Sequence, residues 1–131
     1  MELFFLQNII FNAVWALKTL TDFLIEGRVF WLSIPIVIGV TGHRDLRPQD
    51  IPILRRTVRA ELGKMKTEYL HSDFVMLNSL ASGADTLCAE EALGLGISLV
   101  CPLPMDVEEY RKDFSEDELT IFDDLLSKAD E

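Results

Sequence analysis

Cysteine and histidine are scarce: Cys88, Cys101, His43 and His71 are all that the 131-residue chain holds. The two thiols have no C-x-x-C spacing and no secretory context. That excludes a disulfide framework and predicts reduced, buried or half-buried side chains in a cytoplasmic protein. With His43 and His71 they complete no zinc-ligand pattern. Long hydrophobic runs are missing too. Leu3 to Leu17 carries no charge, but its 15 residues fall short of the roughly 20 that span a bilayer. Basic charge is in deficit, with 12 Lys and Arg against 22 Asp and Glu and a formal net charge of −10. Eleven of the acidic residues lie between Asp106 and Glu131, against Arg111, Lys112 and Lys128. Such a balance repels a polyanion and argues against nucleic acid as a partner.

What is present is a globular composition, 49% apolar and 26% charged, on a length that fits one domain with a modest core. Residues 1–33 stand apart. Glu2 replaces the positive start of a signal peptide, and no cleavage site is convincing. Asn8, Asn12, Thr19, Asp22 and Glu26 share one helical face, which predicts an apolar, amphipathic N-terminal helix. Three fates are open to it: covering a sheet, pairing with another subunit in a homo-oligomer, or lying on a membrane surface as a peripheral contact.

From residue 34 the pattern is strand, helix, strand, helix, strand. Strands are expected over about 36–40, 74–80 and 97–101. Ile51, Leu54, Val58, Leu62, Met65 and Tyr69 recur at helical spacing, with Pro48, Asp50 and Pro52 marking the start. A second helix runs over about 84–93, its buried side formed by Ala84, Leu87, Cys88, Ala92 and Leu95, and Gly94 and Gly96 end it. After Pro102 and Pro104 comes a short acidic turn. Ser115 and Glu118 then form a capping-box pattern for a last helix, about 116–128. The fold class is α/β: a Rossmann-like three-layer parallel sheet with right-handed crossovers, of which three strands can be counted. Doubly wound domains carry five or six, so residues 34–131 read as the first half of one. A partner chain completing the sheet is the alternative to a fragment.

Chemistry concentrates in two loops. The first, Gly39-Val40-Thr41-Gly42-His43-Arg44-Asp45, follows the first strand; the second, Ser79-Leu80-Ala81-Ser82-Gly83-Ala84-Asp85, follows the second. Glycine-containing loops at successive strand ends bring backbone amides to one crevice and fit a phosphorylated ligand. Gly42 permits close backbone approach, Thr41 offers a hydroxyl, and Arg44 can fork onto phosphate oxygens. Gly83 precedes a helix N-terminus whose N–H groups favour an anion, with Ser79 and Ser82 as further donors. Asp85 has two readings, ribose contact or a capping box with Ser82. Glu90 and Glu91 read as a solvated face. Arg44, Arg47, Arg55, Arg56 and Arg59 form either a positive patch beside the loop or an exposed helix face. Neither loop is G-x-G-x-x-G or a P-loop, and Asn78-Ser79 stands where a dinucleotide-binding acid would be, which disfavours an NAD-dependent dehydrogenase.

At these residues the chain resembles the SLOG superfamily, the Rossmann-like group related to the cytokinin-activating "lonely guy" phosphoribohydrolases and the DNA-processing protein. It is most similar to bacterial members with a V-T-G-H-R-D-L opening, here Val40 to Leu46, and a later segment read here from Leu77 to Leu93 as L-N-S-L-A-S-G-A-D-T-L-C-A-E-E-A-L. Leu103-Pro104 and Glu109 to Phe114 are also similar to that group. The resemblance covers about 34–131. It implies binding or sensing of a nucleotide or an ADP-ribose-like ligand at Gly42, Ser79, Gly83 and Asp85, with Thr41 and Arg44 as neighbours. Some such relatives carry fused effector or membrane modules. A minority cleave a nucleotide N-glycosidic bond, but the G-G-x-x-G-T-x-x-E segment with their catalytic glutamate is missing here. Ligand binding is therefore the first expectation. An N-glycosidic hydrolase and a non-binding interaction or oligomerisation module are the alternatives.

Overall fold

The computed structural model describes residues 34–130; the helix expected within 1–33 lies outside the described residues. Three short strands, β1 (Ile36–Gly39), β2 (Phe74–Leu77) and β3 (Ser98–Val100), form a parallel sheet in the order β1-β2-β3. Their β-branched and large apolar residues suit a pleated, buried surface. Helix α1 (Ile51–Glu68) joins β1 to β2, and α2 (Ala84–Gly94) joins β2 to β3. Beyond β3 come α3 (Val107–Tyr110), a 3-10 turn over Arg111–Asp113, and α4 (Glu116–Ser127). The architecture is α/β, consistent with part of a Rossmann-like fold.

Local chemistry accounts for most boundaries. Pro52 sits in the first turn of α1, where a missing N–H costs nothing. The capping box of α4 is complete, with Ser115 and Glu118 each bonding the other's backbone. Strand two is shorter than the expected 74–80 because Asn78 turns the chain. Its N–H still donates to Val100 O at 3.1 Å, but its Oδ1 then accepts from Leu80 N at 2.8 Å. Leu80 is thereby held at φ 58° with its side chain fully buried. Tyr69, expected on the buried face of α1, lies past the helix end and is exposed.

Parallel pairing fixes which residues share a face. Ile36, Ile38, Phe74, Met76 and Leu99 face the helices and pack on Val58, Leu62, Leu87 and Ala92. The chain always steps the same way across the sheet, so right-handed crossovers place α1 and α2 on this one side. Helix α2 packs against α1 and also against α4. Below α4, the rings of Tyr110, Phe114 and Phe122 form one cluster, with centroids 4.9–5.8 Å apart. The chain then returns to the sheet: Asp130 N donates to Leu99 O at 2.7 Å, and Asp130 bridges Val100 in the parallel sense. The β3 edge thus takes up the segment that follows α4. Val37, Val75, Leu77 and Val100, with Gly39 and Ser98, form the opposite face, which no described helix covers.

Candidate functional site

Both loops leave the C-terminal ends of neighbouring strands, and they touch. The His43 carbonyl accepts from Ala84 N, the first amide of α2, at 3.0 Å. Gly42 lies against Ala84, whose Cβ occupies the place a Gly42 side chain would need. Gly83, the N-cap of α2, has φ 86°, and a Cβ there would meet the carbonyl oxygens of Arg44 and His43. Both glycines are therefore required by close backbone approach between the loops, beyond letting the chain turn. The contact also modifies one expectation: the Ala84 N–H at the helix N-terminus is occupied by the protein's own carbonyl.

Beneath the contact the second loop is braced from inside. Asn78 is 2% exposed; its Nδ2 donates to Asp85 O at 2.8 Å while Oδ1 holds Leu80 N. Asp85 is 8% exposed, and its carboxylate accepts from Ser79 Oγ at 3.1 Å and from the Ala81 N–H. Burial raises its pKa, against the lowering pull of those hydrogen bonds and of the Arg44 charge. The capping box read from Ser82-Gly83-Ala84-Asp85 is not formed. The cap is Gly83, it makes no side-chain bond, and the Asp85 carboxylate turns back to the loop preceding it.

A cleft of about 260 Å³ opens beside the paired loops, between the start of α1, α2 and α4. Arg44, Ser82, Gly83 and Thr86 form its loop side. Its apolar walls are Leu46, Ile51, Leu87, Phe114 and Ile121, and Arg55, Glu90 and Glu118 contribute charge. Glu118 is held below the usual carboxylate range by the Ser115 N–H, then by the hydroxyls of Ser82 and Ser115, with Arg44 adding a favourable charge. Arg44 itself is exposed and makes no hydrogen bond or ion pair among the described residues. It faces the carboxylates of Asp85 and Glu118 as a positive charge at the cleft mouth.

Three of the other arginines of the patch, Arg47, Arg55 and Arg59, are held in ion pairs. Arg55 pairs with Glu90 and, at 3.0 Å, with Glu91; Arg59 reaches Glu91 at 3.1 Å; Arg47 pairs with Asp50 at 2.6 Å. Glu90 and Glu91 are thus not a solvated face. Two helices packed side by side on one sheet face turn them toward α1. Burial pushes the Glu91 carboxyl up, but the hydrogen bonds from Arg55 and Arg59 outweigh it and hold the pKa low.

Of the residues expected at the site, Arg44 and Gly83 line the cleft. Thr41 and Gly42 sit exposed on the same loop just outside it, and Ser79 and Asp85 pair with each other underneath. Asn78, Phe114, Glu118 and Ile121 were not legible as site residues. Three of them come from α4 and the turn before it, whose position against the loops no local pattern encodes. Glu118 was visible only as a helix cap. Cys88 is buried and Cys101 half-buried, both as free thiols that burial pushes up to about 11. Among the described residues, no three His, Cys, Asp or Glu side chains are placed to share a metal ion, and no helix is long and apolar enough to cross a membrane. Comparison with protein-family models, with curated proteins and with solved structures finds no match to this chain.

Proposed function

We propose that this chain binds a nucleotide or a nucleotide-derived small ligand at the paired loops, in the manner of a sensing domain of the SLOG superfamily. The observation that carries the reading is the locked contact of two glycine loops with Arg44 beside it, a cation at the mouth of a cleft with no hydrogen bond or ion pair among the described residues. A guanidinium whose N–H donors are not taken up by described residues, next to backbone at a helix N-terminus, is suited to phosphate oxygens. The neighbouring walls are suited to the rest of a nucleotide. Phe114 and Ile121 offer apolar surface to a base, and Glu90 and Glu118 accept hydrogen bonds from ribose hydroxyls or ring amino groups. The volume, about 260 Å³, is near the lower end for ligand pockets, roughly 300 Å³ and above. It matches a mononucleotide better than a dinucleotide. A longer ligand such as ADP-ribose would extend over Thr41 and Gly42. The resemblance of Val40–Leu46 and of Leu77–Leu93 to that superfamily supports the same assignment.

Thermal melting of the purified chain against AMP, ADP, ADP-ribose, NAD and inorganic phosphate tests it. Ligand at about a hundred times its dissociation constant stabilises the folded state by roughly 2.7 kcal/mol when it binds only that state. For a domain of this size that is a rise of about 10 °C. Arg44→Ala is expected to abolish most of the rise while leaving the unliganded melting point nearly unchanged, because Arg44 makes no hydrogen bond or ion pair among the described residues and meets Asp85 and Glu118 only through its charge. No shift with any of the five, or an equal shift in the variant, overturns the proposal.

A further inference from the structure

The sheet has one face without a cover among the described residues. Val37, Val75, Leu77 and Val100 form most of it, with Gly39 and Ser98 at its margins, and Ile34, 79% exposed, stands at its entrance; Leu77 is 39% exposed. Purely parallel sheets are stable when both faces are covered, because their strands are apolar on both sides. Here every crossover takes the chain to the same side, so α1, α2 and α4 cannot serve the second face.

We infer that residues 1–33 of the same chain cover this face, making them the third layer of the domain. Three observations single out that occupant. Residue 33 joins directly to the strand entrance at Ile34, so the segment is tethered at the edge of the face it would cover. Tethering of this kind supplies an effective concentration in the millimolar range, above that of any free partner. The chemistry matches as well: Leu3 to Leu17 has no charge and holds Leu3, Phe4, Phe5, Leu6, Ile9, Ile10, Phe11, Val14, Trp15 and Leu17. Reach is sufficient. The 16 residues from Lys18 to Ser33 extend to roughly 50 Å, several times the width of three strands about 4.8 Å apart.

Thiol accessibility in the full chain tests the inference. Leu77→Cys places a reporter on the open face in a Cys101→Ser background, with that background alone giving the baseline from buried Cys88. Ser127→Cys, at an exposed position, gives the uncovered rate. Labelling of the Leu77→Cys thiol is expected to be at least about tenfold slower than the control, since reaction requires local opening of the cover. The protection is expected to be the same at low and high protein concentration. Phe5→Asp with Ile9→Asp should release it, and Val37→Cys provides a second reporter should Leu77→Cys disturb the fold. Labelling as fast as the control overturns the inference, because the face is then open. Protection that grows with protein concentration also overturns it, and assigns the face to a second copy of the chain.

Discussion

Replacing Gly83 with alanine should separate the two loops, and the size of the effect follows from the backbone. Gly83 stands at φ 86° and ψ −116°, where an L side chain is strained by about 1–3 kcal/mol. The added Cβ would also lie 2.5 Å from His43 O and against Arg44 O, both backbone atoms that cannot rotate away. The first loop must move, which breaks the Ala84 N to His43 O bond, worth a further 0.5–1.5 kcal/mol or so. Together these predict a loss of about 3 kcal/mol and a melting point lower by roughly 10 °C. Urea denaturation of Gly83→Ala measures it, with Gly63→Ala as the control of opposite sign. Gly63 is inside α1 with nothing within 4 Å of its would-be Cβ, so alanine there should stabilise by about 0.5–1 kcal/mol. If Gly83→Ala falls within about 0.5 kcal/mol of the parent, the two loops are not locked together by close backbone approach.

Asn78→Ala should cost about 1–3 kcal/mol in the same assay, because it leaves Leu80 N without its acceptor, takes a second donor from Asp85 O and removes the brace on a positive-φ leucine. Asp85 and Glu91 should impose opposite pH dependences. The folded state keeps the Asp85 proton to higher pH than the unfolded chain. Stability from this residue is therefore greatest below the ordinary aspartate value and falls as pH rises through its raised one. Glu91, held low, contributes stability above the ordinary glutamate value that is lost as pH falls through its depressed one. Urea midpoints of Asp85→Asn and Glu91→Gln between about pH 3 and 8 should each lack the corresponding slope. Parallel curves for parent and variant would contradict the assignment.

How far these features can be read from the sequence depends on how local their causes are. The order of strands and helices was legible because β-branched runs and three-four spacing are local patterns, and the α4 capping box because its residues lie three apart. The two glycine loops were legible as a pair for the same reason. What they do to each other was not: that Gly83 needs room for Arg44 O, or that His43 O occupies the Ala84 amide, depends on a contact about 40 residues apart in the chain. The pairing of Glu90 and Glu91 is hidden from the sequence on the same ground, since their partners Arg55 and Arg59 lie on another helix. Asn78 gave no signal beyond its position after a strand, yet it ends β2 and shapes the loop. The cleft wall contributed by Phe114, Glu118 and Ile121 depends on where α4 docks, which helix periodicity cannot specify.

Backbone amide chemical shifts recorded during titration of the labelled full chain with AMP and ADP-ribose decide whether the paired loops hold a nucleotide. Saturable shifts are expected to concentrate at Thr41–Arg44 and Ser82–Thr86, with smaller ones at Phe114 and Glu118, and to be lost in Arg44→Ala. No saturable shift, or shifts centred away from the paired loops, would show that the ligand does not bind there.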